Sequence, residues 1–299
     1  MLGSMPGQSG FDLCVRHVLG NEFVDQSAVF GLETLPWACR IIEYGKQVQV
    51  LGTKKEIEVV IQPPKGKTYG TYLETLQKLV GKQPILKASS NFLAITLSNP
   101  NIVHPTISMG CYMDKGDDLV FDEPPLFYQG VDERTGEMLT KISDEVMELK
   151  RNLEERYPTL NLSGILHLRD ILLRYYFDDL EDKTNIYTML KTSHAHRGLK
   201  HPMKQVDTPD GKKYVPDFSY RYFAEDLPCG MIVIRGIAEL AGVATPNMDK
   251  VIEWCQNAMG KEFLVDGKIM GRDLHITRCP QTFGYTDLDT FMKVNHYLD

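Results

Sequence analysis

The periodicity of the apolar residues changes in the middle of this 299-residue chain, at the segment 99–105. Before it, apolar residues alternate or form short runs bounded by turn residues, which is typical of strands. The predicted strands lie at 27–32, 47–53 and 56–61. After the segment, apolar residues recur every three or four positions, as between 138 and 153, which predicts helices. The pattern therefore predicts an α/β unit at residues 1–100 and a mostly helical unit at residues 101–299.

A histidine lies at this change of periodicity, between Pro100 and Pro105. Proline disfavours helical backbone in the residue before it, so His104 is predicted to lie in extended backbone just ahead of a helix. An imidazole held there can project into a cleft between the two units and act as an acid/base near neutral pH. The other interpretation is a structural turn histidine, and the same dipeptide recurs at His201-Pro202.

Charge and composition exclude several classes of protein. The net charge of −7 argues against a general affinity for nucleic acid. No apolar run reaches the ~20 residues of a membrane span, and residues 1–10 lack the basic and apolar parts of a signal peptide. The six cysteines contain no C-x-x-C pair, which favours a reducing, cytoplasmic location without disulfides. His194 and His196 lack a third ligand at a suitable spacing, so no metal is expected.

The first residues are typical of the corner that holds a nucleotide. A strand end, the turn Gly7-Gln8-Ser9-Gly10 and a helical stripe from Phe11 follow one another. Such glycine turns are common, so this pattern alone does not identify a nucleotide site. Glu33, Thr34 and Trp37 follow the strand predicted at 27–32, and ligands bind at the carboxyl ends of strands in open α/β sheets. All three side chains are therefore candidate ligand contacts.

An α/β unit followed by a helical unit is a common layout of nicotinamide-dependent dehydrogenases, which is an argument by analogy. Hydride transfer at a carbon that carries oxygen or nitrogen needs an acid/base, and His104 is the candidate. Either Asp226 or Glu225 can supply a carboxylate that orients the imidazole, and Arg221 suits a substrate carboxylate. The alternative for Arg221 and Asp226 is a structural ion pair.

Several short stretches are specific enough to compare with known families. They are QSGF at 8–11, FGLETLPWACR at 30–40, VQVLGTK at 48–54, VHP at 103–105, PLFYQG at 125–130, GLKHP at 198–202, RYFAED at 221–226 and TRCPQ at 277–281. In this collinear order they resemble the invertebrate opine dehydrogenases, which include octopine, tauropine, alanopine and strombine dehydrogenases. The resemblance implies the C-terminal part of a Rossmann-type NAD domain at 1–100 and a helical substrate domain at 101–299. It also implies NADH as the cofactor and the reductive condensation of an amino acid or taurine with pyruvate.

The resemblance also implies roles for individual residues. His104 corresponds to the catalytic acid/base and Asp226 to its carboxylate partner. Arg221 corresponds to the anchor of a substrate carboxylate. The positions that correspond to residues lining the cleft are Gln8, Glu33 and Cys39.

One element of the family pattern is missing from the sequence. The family opens with a strand and a G-x-G-x-x-G turn that hold the dinucleotide pyrophosphate, and this chain contains no such turn. About a hundred residues of the pattern are absent, which fits a fragment, an incomplete gene model or a natural short form. We therefore expect the chain alone to bind NADH poorly and to turn over weakly or not at all, and we assign no cofactor-binding residue.

The helix predicted at 163–176 is relevant to the amine substrate. A guanidinium site needs an aromatic platform and carboxylates. This helix offers Asp170, Tyr175 and Tyr176 but no tryptophan, and it carries two arginines of its own. The composition of the helix favours a smaller amino acid or taurine over arginine.

Three hypotheses follow. The leading one is an opine-type dehydrogenase, a cytoplasmic monomer that binds small molecules and neither nucleic acid nor membranes. The second is another NAD-dependent dehydrogenase, acting on hydroxy acids or polyols, which would need no amine. The third is a non-catalytic member of the family, in which replacing His104 with alanine changes nothing measurable.

Overall fold

The computed structural model of the chain describes residues 2–3, 9–98, 100–116, 119–295 and 297–298. The strands are β1 (Leu2–Gly3), β2 (Val29–Leu32), β3 (Trp37–Glu43), β4 (Gln47–Thr53), β5 (Glu56–Gln62), β6 (Ile85–Ala88), β7 (Met203–Thr208), β8 (Gly211–Pro216), β9 (Leu264–Val265) and β10 (Lys268–Ile269). The α-helices are α1 (Phe11–Leu19), α2 (Asn21–Asp25), α3 (Gly70–Val80), α4 (Phe92–Leu97), α5 (Val103–Tyr112), α6 (Glu133–Arg156), α7 (Leu168–Tyr176), α8 (Ile186–Thr192), α9 (Arg221–Ala224), α10 (Ile232–Ala241), α11 (Pro246–Met259) and α12 (Leu288–Val294). A π-helix spans Leu227–Met231, and 3-10 helices span Phe177–Asp179, Leu274–Ile276 and Pro280–Phe283.

Four short strands form a sheet in the order β1-β2-β5-β6. β1 and β2 are parallel, β2 and β5 are antiparallel, and β5 and β6 are parallel. Side chains alternate between the two faces of a strand. Ile57 and Val59 of β5 therefore pack with Leu76 of α3 in a small core, whereas Val60 joins the main core on the other face.

The alternation at 47–53 predicts a strand but not its partner. β4 pairs with β3 in an antiparallel hairpin of its own, outside the four-stranded sheet. The hairpin leaves apolar side chains in solvent, with Ile41 exposed by 67% and Tyr44 by 88%. A strand of a sheet and a strand of an isolated hairpin have the same period, so sequence periodicity does not separate them.

The second half of the chain is mostly helical, as predicted, and its longest described helix is α6. The α6 stripe from Leu139 to Leu153 is buried. The helix begins where the Asp132 side chain accepts the backbone N–H of Thr135 at 2.8 Å, a typical N-cap. The main core that α6 enters also contains Val29 of β2 and Val60 of β5, so the sheet and the helices pack against one continuous core.

The backbone predicted for His104 is wrong. α5 begins at Val103, so His104 is the second residue of a helix rather than part of an extended segment. Pro105 is the third residue, where its missing N–H costs nothing because first-turn N–H groups have no partner inside a helix. Burial of Val103 and Ile107 against the main core holds this turn in place and outweighs the steric bias of the residue before a proline.

α7 begins later than the sequence suggests. Ser163 is a plausible N-cap in the sequence, but its N–H and hydroxyl both donate to the side-chain oxygen of Asn161 in a turn. The residue that caps α7 is His167, whose Nδ1 accepts the backbone N–H of Arg169 at 3.2 Å. Two polar residues compete for this role, and the contacts of the preceding loop decide between them.

Three observations describe the chemical character of the chain. All six cysteines lie in the described ranges and are free thiols. Within those ranges, none of the helices is both long enough and apolar enough to cross a membrane. The same ranges contain no group of three or more histidine, cysteine, aspartate or glutamate residues arranged to bind a metal ion.

We expect Gly136→Ala to destabilise the fold by about 1–3 kcal/mol, because a Cβ at this position has no room. It would lie 2.4 Å from the Cβ of Tyr187, where α6 meets α8. Helix propensity alone predicts the opposite sign, a gain of about 1 kcal/mol. Urea denaturation should separate the two effects, with Glu137→Ala on the exposed face of α6 as the control. A Gly136→Ala chain as stable as the parent would show that the two helices are not in close contact.

Candidate active site

A cleft opens at the carboxyl end of β2, between the sheet and the helices. Its lining includes Glu33 and Thr34 after β2, His104 in the first turn of α5, Tyr175 at the end of α7, and Asp226. The cleft encloses about 840 Å³, counting the open solvent at its mouth. The sheet edge predicted for ligand binding is thus the edge at which the cleft opens.

His104 and Asp226 form a hydrogen-bonded pair in this cleft. His104 Nδ1 lies 2.5 Å from Asp226 Oδ2. The Asp226 side chain is 8% exposed and that of His104 is 19% exposed. A buried carboxylate next to Nδ1 accepts the N–H of that nitrogen and stabilises a positive charge on the ring. The pair therefore fixes one tautomer and leaves Nε2 as the nitrogen that can exchange a proton.

A wide helical turn positions Asp226. Its backbone N–H donates to the carbonyl of Arg221 at 3.2 Å, and its carbonyl accepts the N–H of Met231 at 2.9 Å. Both bonds span five residues, the spacing of a π-helix, a form that is frequent at functional sites. The side chain of Asp226, held at this turn, contacts His104 of α5.

Aromatic rings surround the imidazole of His104. The ring of Tyr222 stacks on it at a centroid distance of 3.7 Å and an angle of 7°. Phe127 meets it edge-on at 5.5 Å, and the Tyr128 hydroxyl lies 2.9 Å from Nε2. Burial raises the pKa of Tyr128 well above its ordinary value, so its hydroxyl stays protonated. These contacts hold the plane of the imidazole and keep bulk water away from it.

A second set of charged groups lines the cleft near Tyr175. Lys54 Nζ donates to Thr34 Oγ1 at 2.5 Å and lies 4.9 Å from the centre of the Tyr175 ring. Burial lowers the pKa of Lys54 to about 8. Burial also raises the pKa of Glu33 to about 7, although the charges of Arg174 and Lys54 oppose this shift. The carboxyl group of Glu33 is therefore poised to gain or lose a proton near neutral pH.

The structure brings some of the predicted site residues together. His104, Asp226 and Glu33 line the same cleft. Of the two carboxylates considered as partners of the histidine, Asp226 makes the contact and Glu225 is exposed. Arg221 is exposed at the start of α9, with its guanidinium carbon 5.9 Å from the centre of the Tyr222 ring.

Cys39 does not line the cleft. Its side chain is exposed on β3, where the thiol contacts the carbonyl of Trp37 at 3.8 Å. β3 belongs to the hairpin that is separate from the four-stranded sheet, and contact of Cys39 with the substrate stays a prediction. Gln8, the other residue predicted next to it, lies outside the described residues.

Sequence reasoning missed four residues of the site. Tyr128 and Tyr222 occur in stretches that carry the family resemblance, but nothing in their spacing shows contact with His104. Lys54 follows β4 and reads as an ordinary surface lysine. His196, considered only as a metal ligand, lines the cleft, and its Nδ1 lies 2.8 Å from Ser193 Oγ. The sequence offers one clue to these four residues: each lies close in the chain to the end of a strand or to a predicted site residue.

Comparison with known proteins identifies the family. Residues 88–259, more than half of the chain, match the model of the α-helical domain of NAD/NADP octopine/nopaline dehydrogenases. The chain belongs to this family.

Opine dehydrogenases of animals are among its relatives. The chain is 41% identical to opine dehydrogenase of Haliotis discus hannai and 38% identical to tauropine dehydrogenase of Arabella iricolor. These matches cover 97% and 96% of this chain and 70% and 71% of the two relatives. The fold matches octopine dehydrogenase solved with NADH and L-arginine, with a TM-score of 0.87 and 39% identity over 98% of this chain and 71% of that one. The same enzyme solved with NADH and pyruvate matches with a TM-score of 0.82, at 37% identity over 98% and 70%.

These findings confirm the fold class and the function predicted from the sequence. The chain combines part of a Rossmann-type domain with the helical domain of an opine dehydrogenase. It is an oxidoreductase of the opine dehydrogenase type, and its cofactor is NAD(H).

The described residues fit the reacting end of NAD(H). The carboxyl ends of the parallel strands β1 and β2 lie side by side at the cleft, the edge where dinucleotides bind in such sheets. α1 begins directly after Gly10, whose φ is +62°, and a Cβ on Gly10 would lie 2.5 Å from the Arg278 carbonyl oxygen. The sequence has no G-x-G-x-x-G turn, so no residue is assigned to the pyrophosphate.

We expect Glu33→Gln to stabilise the chain at pH 7.5 but not at pH 5. The pKa of Glu33 is about 7 in the folded state and 4.5 ordinarily. Between these values the folded state holds a proton that the unfolded state has released, so wild-type stability falls as pH rises. Glutamine has no such proton, and its advantage should grow by about 2 kcal/mol from pH 5 to pH 7.5.

Urea denaturation at the two pH values measures this difference, and Glu74→Gln on the exposed face of α3 is the control. An advantage of Glu33→Gln that is equal at both pH values would mean that Glu33 is ionised in the folded state throughout this range.

Proposed function

We propose that the chain catalyses the NADH-dependent reductive condensation of pyruvate with a small amino acid or taurine, and that His104 moves the protons. The proposed turnover is low, because the sequence contains no G-x-G-x-x-G turn for the dinucleotide. The observation that carries this assignment is the 2.5 Å contact of His104 Nδ1 with Asp226 Oδ2, which leaves Nε2 for proton exchange. In the reverse direction the same groups act while the CH–NH bond of the opine is oxidised.

The condensation expels the carbonyl oxygen of the keto acid as water, so this oxygen must gain protons. His104 supplies one from its Nε2 side, and the Asp226 carboxylate stabilises the imidazolium before the transfer. When bound, NADH supplies the hydride that reduces the carbon of the C=N bond. A positioned acid/base of this kind accelerates a reaction by about 10²–10⁴-fold.

Arg221 is proposed to hold the carboxylate of the keto acid. Within the described part of the chain it has no ion-pair partner, and it shares the wide turn that positions Asp226. Its neighbour Tyr222 stacks on His104, so a carboxylate bound to Arg221 lies close to the imidazole. A guanidinium binds both oxygens of a carboxylate and so fixes the orientation of the carbonyl.

The charges near Tyr175 support a small amino acid or taurine as the amine. A guanidinium substrate would meet two cations, Lys54 and Arg174, on the wall of the cleft. It would also have to compete with Arg174 for Glu58, which accepts from both terminal nitrogens of Arg174 at 3.3 Å. Octopine dehydrogenase has been solved with L-arginine, so this chain would differ from that relative in its amine.

The organisation of the chain follows from the same assignment. Residues 1–100, which hold the four-stranded sheet, are proposed as part of the dinucleotide-binding domain, and residues 101–299 as the helical substrate domain. The six free thiols support a reducing, cytoplasmic location. We also propose that the protein is a monomer and that its substrates are small molecules.

We expect His104→Gln to lower kcat by about 100-fold or more, and Asp226→Asn to lower it by about 10–100-fold. His104→Gln removes the acid/base. Asp226→Asn keeps the shape of the aspartate side chain but removes the negative charge that stabilises the imidazolium. NADH oxidation measures both rates, with pyruvate and a panel of amines as substrates. Asp210→Asn, in the exposed turn between β7 and β8, should leave kcat unchanged.

Two results would contradict the proposal. A His104→Gln chain with kcat within about threefold of the parent would remove the histidine from the mechanism. Equal NADH oxidation with and without an amine would place the chain among dehydrogenases that act on keto acids alone.

Lys54→Met should shift the amine preference toward L-arginine. The change keeps an unbranched side chain, one atom shorter, but removes a positive charge, and it leaves Glu33 available to a guanidinium. The ratio of kcat/KM for L-arginine to that for taurine should rise about tenfold, equivalent to about 1.4 kcal/mol. Lys55→Met is the matched control, because Lys55 is the next residue along the chain and its side chain is exposed. An unchanged ratio in Lys54→Met would show that this lysine does not face the amine.

A further inference from the structure

The reactive nitrogen of His104 already has a hydrogen-bonding partner in the cleft. Nδ1 is taken by Asp226, and Nε2 lies 2.9 Å from the hydroxyl of Tyr128. Each imidazole nitrogen makes one hydrogen bond in the plane of the ring. In the neutral ring Nε2 accepts the Tyr128 O–H, and in the imidazolium Nε2–H donates to the Tyr128 oxygen. A substrate oxygen therefore cannot reach Nε2 directly while Tyr128 keeps its position.

Tyr128 is held firmly in that position. The residue is 8% exposed, and its ring packs against Phe127 at 4.9 Å and His196 at 4.3 Å. His196 is itself held by Ser193 Oγ, 2.8 Å from its Nδ1, and by the ring of Tyr176 at 4.7 Å. Rotation of Tyr128 away from Nε2 would break these contacts. Tyr128 also lines the cleft, so the residue that contacts Nε2 borders the space where a substrate would bind.

We propose that the hydroxyl of Tyr128 relays the proton between His104 Nε2 and the carbonyl oxygen of the substrate. The Nε2–H bond of the imidazolium breaks and a new O–H bond forms on Tyr128. The original O–H bond of Tyr128 breaks at the same time, and its proton goes to the substrate oxygen. The phenol is neutral before and after, and the imidazolium has become a neutral imidazole. This inference rests on the acid/base role proposed for His104.

The surroundings of Tyr128 favour a simultaneous transfer of the two protons over two separate steps. Burial is the main reason that the pKa of Tyr128 lies well above 10, and the nearby Tyr222, Tyr176 and Asp226 shift it further in the same direction. A phenolate formed on its own would therefore be costly. A concerted relay avoids that charge, because the phenol receives one proton as it gives up the other.

The test is Tyr128→Phe, which removes only the hydroxyl and keeps the ring that packs on Phe127 and His196. We expect kcat with pyruvate and the preferred amine to fall about 30-fold or more. Tyr187→Phe is the matched control, because its hydroxyl accepts from Lys191 on α8, away from the cleft. Rates in mixtures of H₂O and D₂O then count the protons in flight. The parent chain should show a curved dependence from two protons, and Tyr128→Phe a linear one.

Two kinetic results overturn the relay. One is a Tyr128→Phe chain within about threefold of the parent. The other is a rate loss without any change in the shape of the isotope dependence, which would make Tyr128 a positioning residue only. The two proposals fail separately: an active His104→Gln chain refutes the role of the histidine, whereas an inactive His104→Gln beside a fully active Tyr128→Phe refutes the relay alone.

A second measurement does not depend on turnover. In ¹⁵N NMR spectra of the histidine side chains, Nε2 of His104 should show the shift of a nitrogen that accepts a hydrogen bond. In Tyr128→Phe the chemical shift of Nε2 should move toward the value of a nitrogen that accepts no hydrogen bond. The chemical shift of Nδ1 should remain that of a protonated nitrogen. An Nε2 resonance that is the same in both chains would mean that the Tyr128 contact does not exist in solution, which overturns the proposal.

Discussion

The hydrogen bond between His104 and Asp226 joins two residues that are 122 positions apart in the chain. Its geometry depends on two unrelated pieces of backbone, the first turn of α5 and the π-helical turn that contains Asp226. Each piece is held by burial in the main core, where Val103 and Leu227 are 7% and 0% exposed. The helical half of the molecule is therefore the scaffold that holds the two turns so that His104 Nδ1 and Asp226 Oδ2 lie 2.5 Å apart.

The cleft contains two electrostatic environments with different tasks. At His104 two hydrogen bonds form a chain that runs from the Asp226 carboxylate through the imidazole to the phenol of Tyr128. At Glu33 and Lys54, burial brings an acid and a base to pKa values of about 7 and about 8, so their charges respond to what binds beside them. The first environment is the one proposed to transfer protons, and the second is the one proposed to select the amine.

The sequence predicts the parts of the fold that depend on local pattern. The alternation at 47–53 and 56–61 and the stripe of α6 correctly predict β4, β5 and α6. The pairing of β3 with β4 and the helical backbone of His104 depend on contacts with distant residues, which no local pattern contains.

The same distinction applies to the site. Family motifs point to His104 and Asp226, and the structure brings them together. Tyr128 and Lys54 are visible only in three dimensions, because a tyrosine and a lysine near turns have no periodicity that marks them. Cys39 is the opposite case. It belongs to a family motif, but its side chain is exposed on β3 of the separate hairpin.

The π-helix after Asp226 makes this segment intolerant of deletion. A π-helix carries one residue more per turn than an α-helix, and each residue of an α-helix turns the following chain by about 100°. Because Ile232, Val233 and Ile237 of α10 are almost fully buried, the core holds α10 in its present rotation about the helix axis. Loss of one residue between Asp226 and α10 would therefore be absorbed by conversion of the wide turn to a regular one. The core would keep its packing, whereas the turn that positions the Asp226 carboxylate would change, so a change in length here would act on the active site first.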